Sequence, residues 1–155
     1  MIASDRQHTL ANEIVLEGIG LHTGENARLR IAEGDINTGY VFIRKDLEGE
    51  PEIQVRVSNV SETRRGTTLS SGDAVVHTTE HVLASLYALG IDNARLELTG
   101  PEVPILDGSA SPFVEAILAA KSKEQDAPRR FFKVHQNISY KAEGGVEMLV
   151  VPEKG

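Results

Sequence analysis

Three stretches of this chain alternate apolar and polar residues with a period of two, and nothing else in the sequence constrains the fold as tightly. Ala27, Leu29 and Ile31 interleave with Arg28 and Arg30. Ile53, Val55 and Val57 interleave with Gln54, Arg56 and Ser58, and Ala94, Leu96 and Leu98 with Arg95, Glu97 and Thr99. Side chains of a strand point alternately to opposite faces, so each stretch predicts a strand with one buried and one solvated face. Tyr40 to Ile43 is a fourth strand candidate, short and wholly apolar. Turn signals separate them: Gly18-Ile19-Gly20, Thr23-Gly24, Asn37-Thr38-Gly39 and Gly49-Glu50-Pro51.

Two segments change to helical spacing. Residues 79–89 lie between Thr78, a candidate N-cap, and Gly90, a candidate C-terminal stop. Residues 111–121 open with Ser-Pro and carry Phe113, Val114, Ile117 and Leu118 along one stripe. One-sided strands beside one-sided helices predict an α+β fold. It is a two-layer sandwich in which one mainly antiparallel sheet carries both helices on one face. Sandwiches of this general type also occur in ribosomal proteins.

Residues 122–130 are polar and contain a proline, as domain boundaries do. Beyond them Phe131 to Val134, Ile138 to Tyr140 and Val146 to Val151 read as strands, joined in part by Gly144-Gly145. Three strands with no helix and no further chain cannot make a core alone. The expected division is therefore a first domain over 1–125 and the opening strands of a truncated second domain over 126–155. Those strands are expected to pair with each other or with a neighbouring molecule.

Composition excludes several functions. A formal net charge of −7 leaves no basic surface for a phosphate backbone, so no nucleic-acid partner is expected and an RNA-binding sandwich is disfavoured. There is no cysteine, so any metal must be held by His, Asp or Glu. The first residues hold no apolar leader, and no run approaches a membrane span, so a cytoplasmic protein without membrane segments is expected.

The densest cluster of chemistry-bearing residues is His77-Thr78-Thr79-Glu80-His81 at the start of the first helix. In metal-assisted hydrolysis an imidazole holds the ion and a carboxylate takes a proton from the attacking water. Glu80 and His81 have those groups. Equally, Glu80 in a first turn complements the helix dipole, and His81 is then a surface histidine. On the wheel His81 shares its face with Ala84, Ser85 and Ala88, a small-residue stripe that permits close approach. Asp107, ahead of the second helix, either reaches a site or makes an Asx turn with Ser109. Gly18 to Gly24 has the glycines of a phosphate loop without a helix behind them, so a tight turn between strands is expected. Arg64 and Arg65 either meet a phosphate or form a solvated face.

Five segments, GIGLHTG (18–24), TRRGTTL (63–69), TTEH (78–81), ALGIDNARLEL (88–98) and PEVPILDGSASPFV (101–114), together resemble the UDP-3-O-acyl-N-acetylglucosamine deacetylases of lipid A synthesis in Gram-negative bacteria. The resemblance covers nearly the whole chain. It implies a zinc-dependent amide hydrolase built from two domains of similar topology, each a five-stranded sheet carrying two helices. It implies that Glu80 is the general base and His81 one zinc ligand. The other ligands, and most of the acyl-chain tunnel, would lie in the missing second domain. A small β insert around 50–76, with Arg64, Arg65, Gly66 and Thr67, would border the cleft and contact the UDP-linked acylated amino sugar. Many relatives carry apolar residues at 64 and 65. His22 and Asp107 fall in family-typical segments and are expected beside the site. Residues 1–155 alone, with one ligand, are expected neither to hold zinc tightly nor to be active. The rival expectation is a non-catalytic binding module, in which Glu80 and His81 merely begin a helix.

Overall fold

In the computed structural model, which describes residues 5–153, two of the alternating stretches become the central strands of a five-stranded sheet. The chain runs β1 (Arg6–Leu10), β2 (Ile14–Ile19), β3 (Asn26–Glu33), β4 (Tyr40–Arg44), β5 (Glu52–Gln54), β6 (Val60–Glu62), β7 (Thr68–Ser71) and β8 (Ala74–Val76). Then follow α1 (Glu80–Ala88), β9 (Ala94–Thr99), α2 (Ser111–Ala120), β10 (Ser122–Pro128), β11 (Ile138–Lys141) and β12 (Glu147–Val150). The main sheet has the order β2-β3-β9-β4-β5, antiparallel except for the parallel pair β4 and β9.

Register explains which face is buried. Ile14 pairs with Ile31, Ile31 with Leu96, Leu96 with Phe42 and Phe42 with Ile53, so one apolar row crosses all five strands. Val82 and Leu86 of α1 and Phe113 and Ile117 of α2 join that row in a single core. Both helices therefore cover the same face of the sheet, and the fold is the expected α+β sandwich. A fully buried Leu, Ile or Phe contributes roughly 1.5–3 kcal/mol, so this row is the main source of the domain's stability. The opposite face is polar: Arg30 lies between Glu13 and Glu97 in hydrogen-bonded ion pairs.

Four local expectations are corrected. The alternation at 53–57 makes a strand only as far as Gln54, because the Asn59 side chain donates to the Gln54 carbonyl and its amide to the Arg56 carbonyl. A single 3-10 turn results, and Val57 is left 90% exposed. The small insert is consequently the three-stranded sheet β6-β7-β8 beyond it. Thr78 is not the N-cap. Thr79 precedes the helix without a side-chain cap bond, and the Thr78 hydroxyl is engaged elsewhere. Phe131 to Val134 do not form a strand. The polar segment 122–130, read only as a boundary-like stretch, contains a strand, since β10 pairs antiparallel with β1. Its anchors are Ala127, buried, and Gln125, which bonds the Asn93 side chain and the Gly34 carbonyl. A strand exposed along most of its length, as β10 is, has no need of an apolar alternation, so composition could not reveal it.

β11 and β12 pair with each other, and all eight of their residues are exposed. An isolated two-stranded hairpin is marginal in water. Amide exchange at 138–150 should accordingly run far faster than at Val82 to Leu86 in α1. Equal protection in a monomer would show that the hairpin is held by something other than its own pairing. The expected absence of a leader at the start of the chain concerns residues 1–4, outside the described residues. Among the described residues no helix is long and apolar enough to cross a membrane.

Candidate active site

A cleft of about 480 Å³ opens between the β2–β3 turn and the three-stranded insert. It is lined by His22, Glu62, Arg64, Arg65, Gly66 and His77, among others. Two elements set its shape. The chain from Gly20 to Thr23 folds back tightly, closed by the Gly24 amide on the Gly20 carbonyl. The β7–β8 hairpin then delivers His77 and Thr78 to its floor, where the Thr68 hydroxyl meets His77 Nδ1 at 3.0 Å.

A residue with no role assigned on sequence grounds holds these parts together. Glu102 is 1% exposed, and its carboxylate accepts the Thr78 hydroxyl at 2.6 Å, the Thr23 amide at 2.8 Å and the Thr23 hydroxyl at 2.9 Å. The His22 amide lies 3.1 Å and 3.2 Å from its two oxygens. Gly20 is required by this packing. A Cβ there would fall 2.3 Å from Thr23 Oγ1 and 2.4 Å from Glu102 Oε2, closer than real atoms approach. The only signal in the sequence was an acid set in the apolar run Pro101-Glu102-Val103-Pro104-Ile105-Leu106.

Burial pushes the Glu102 carboxyl upward, but the bonds from Thr78, Thr23 and His22 together outweigh it and hold the group below its usual 4.5. The unfolded chain therefore takes up this proton more readily than the folded one. The stabilisation is complete above pH 4.5 and fades as pH falls through the depressed folded value. In urea titrations the midpoint should drop more steeply below pH 4.5 for the wild type than for Glu102→Gln, which has no proton to gain. Parallel profiles would place acid sensitivity elsewhere.

Glu80 stands behind the cleft wall rather than on its surface. Its Oε2 accepts the Thr67 amide at 2.8 Å, and its Oε1 makes no hydrogen bond among the described residues. Residue 67 also accepts the Thr79 amide and hydroxyl on its carbonyl, at 3.2 Å and 3.1 Å. The start of α1 is thereby pinned to the insert. Gly66 gives the carboxylate room, since a Cβ there would sit 3.3 Å from Glu80 Oε1. Thr78 holds φ at 57°, a left-handed conformation rare for a β-branched residue, and Arg65 holds 65°. Such geometry persists only where its surroundings enforce it.

The other expected positions divide. His81, half-buried in the first turn of α1, makes no side-chain hydrogen bond among the described residues, which leaves both ring nitrogens uncommitted. Of the small-residue stripe it shares, Ser85 is buried and lies against the Ala110 carbonyl, whereas Ala84 and Ala88 are exposed. His22 faces the cleft mouth, its Nε2 3.3 Å from the Arg65 carbonyl. Arg65 is exposed with no side-chain bond among the described residues, and Arg64 is engaged by Glu62 at 3.0 Å. Asp107 makes the plain Asx turn, accepting the Ser109 amide at 2.8 Å and its hydroxyl at 2.9 Å, away from the cleft. No three His, Cys, Asp or Glu side chains converge among the described residues.

Comparison with known proteins adds an independent line. The family model described as LpxC, UDP-3-O-acyl N-acetylglycosamine deacetylase, matches residues 7–155. The bifunctional enzyme LpxC/FabZ of Chlorobaculum tepidum is 48% identical over 96% of this chain and 32% of its own length. A UDP-3-O-acyl-N-acetylglucosamine deacetylase of Pseudomonas entomophila is 48% identical over 86% of this chain and 44% of its own. The chain thus spans less than half the length of these relatives.

Proposed function

We propose, from the premise that this chain belongs to the UDP-3-O-acyl N-acetylglycosamine deacetylase family, that it supplies the general base and one metal ligand for removing the N-acetyl group of UDP-3-O-acyl-N-acetylglucosamine in lipid A synthesis. The observation that carries this reading is the state of Glu80. One carboxylate oxygen is fixed by the Thr67 amide and the other is unengaged, next to an imidazole with no partner of its own. A carboxylate that merely complemented a helix dipole would not need its orientation set by an amide 13 positions away in sequence.

The donor chemistry fits zinc in part. His81 is a good ligand, but catalytic zinc takes three protein ligands with an open fourth position, and the described residues offer no such group. The remaining donors would come from a second domain, which the residues after β10 would open. Zinc, when bound, supplies Lewis acidity to the acetyl carbonyl and brings the pKa of water to about 7. The chain's own part is then definite. Glu80 Oε1 receives the proton of the attacking water, while the Thr67 amide keeps Oε2 from turning away. His22 and Arg65 border the route by which a UDP-linked sugar would enter. Arg64 would have to leave Glu62 to join them.

The test is a comparison of residues 1–155 with the protein carrying its second domain, assayed for acetate release and for metal after dialysis. The longer protein should retain one zinc and turn over, and the shorter should do neither. Turnover by residues 1–155 would overturn the shared site. A longer protein without turnover or zinc would favour a binding module.

A further inference from the structure

We propose that Glu102 is a positioning residue for the deacetylation, acting through Thr78 and the 20–23 turn to set Glu80 and His22; the proposal rests on the function given above. Four observations converge on it. The carboxylate is buried and accepts from two segments far apart in sequence, 22–23 and 78. Thr78, two residues before Glu80, is held in a left-handed conformation unfavourable for threonine. A bond at 2.6 Å from its hydroxyl to a buried carboxylate is what keeps it there. Gly20 has no room for a side chain because Glu102 Oε2 occupies that space.

The coupling to Glu80 is mechanical and short. The turn at Thr78 sets where Thr79 meets the Thr67 carbonyl, and the amide of the same Thr67 orients Glu80 Oε2. On the other side, the His22 amide on Glu102 fixes the imidazole at the cleft mouth, beside the Arg65 carbonyl. One carboxylate thus references two cleft elements to each other. Elsewhere in the fold the buried side chains Gln7 and Asn93 tie strands and loops together away from the cleft, and Arg44 meets its lining through the Val75 carbonyl alone.

The experiment compares wild type, Glu102→Gln, Thr78→Val and Thr78→Ser in the protein carrying its second domain. Thr78→Val keeps the shape and removes only the hydroxyl, so it reports even if Glu102→Gln does not fold. Well below the melting temperature, kcat should fall at least tenfold in Thr78→Val with KM changed less than twofold. Thr78→Ser should restore most of that rate. Exchange of the Thr67 amide, which bonds Glu80 and never Glu102, should accelerate at least tenfold in Thr78→Val. A residue that only stabilised the fold would lower the melting temperature and leave kcat and this amide unchanged. Wild-type kcat, or wild-type Thr67 protection, in Thr78→Val overturns the proposal. An inactive wild type overturns the deacetylase reading instead, and Thr67 exchange still decides the positioning.

Discussion

Glu80→Gln, in the protein carrying its second domain, should lower kcat by roughly a hundred- to ten-thousand-fold, the usual contribution of general acid–base catalysis. The amide keeps the volume of the side chain and can still accept the Thr67 N–H on its oxygen, so the start of α1 should stay where it is. What is lost is an acceptor for a proton at the position of Oε1. KM should change little and zinc content not at all, because Glu80 is not assigned as a ligand. Measured turnover close to wild type, with zinc in place, would remove Glu80 from the role of base. A Glu80→Ala variant is less informative, since it also abandons the Thr67 amide and disturbs the contact between α1 and the insert.

His81→Ala should have the larger effect on metal. Three-ligand sites lose most of their affinity with one donor, so dialysed protein should contain far less than one equivalent of zinc and turnover should vanish with it. Folding of the first domain should be spared. The His81 imidazole bonds nothing among the described residues, and the core contacts of α1 come from Val82 and Leu86. The unfolding midpoint of residues 1–155 should therefore shift little between wild type and His81→Ala. Full zinc retention in the variant would move the ligand to another residue. The two substitutions are complementary: one removes the step and keeps the metal, the other removes the metal.

The parts of the fold legible in the sequence are those that face an apolar neighbour on one side and water on the other. β3, β9, α1 and α2 carry a period that survives in the buried set Leu29, Ile31, Leu96, Leu98, Val82, Leu86, Phe113 and Ile117. β10 was illegible because a strand with most of its side chains in water has no alternation to show. The shortened β5 was illegible because a side-chain bond from Asn59 ended it, and alternation continued past that point. The site divides on the same principle. Glu80 and His81 stand out as reactive types side by side, and the segments around them carry a family resemblance. Glu102 does not, because its importance lies in acceptors shared between residues 22, 23 and 78, a relation that exists only after folding. Asp107, read as either a site carboxylate or an Asx turn, makes such a turn with Ser109.

The pairing of β1 with β10 also governs how the molecule is wired. Arg6 lies across from Pro128 and bonds Asp126, and the Arg129 amide reaches the Asp5 carbonyl. Residues 5–10 and 122–129 therefore lie side by side. Everything that follows Arg130 hangs from a clasp whose other half is residues 5–10. A clip at residue 11 would leave every residue lining the cleft in place and yet break the covalent link between this clasp and the main sheet. Residues 5–10, none of which lines the cleft, act as the hinge pin for the segment after Arg130.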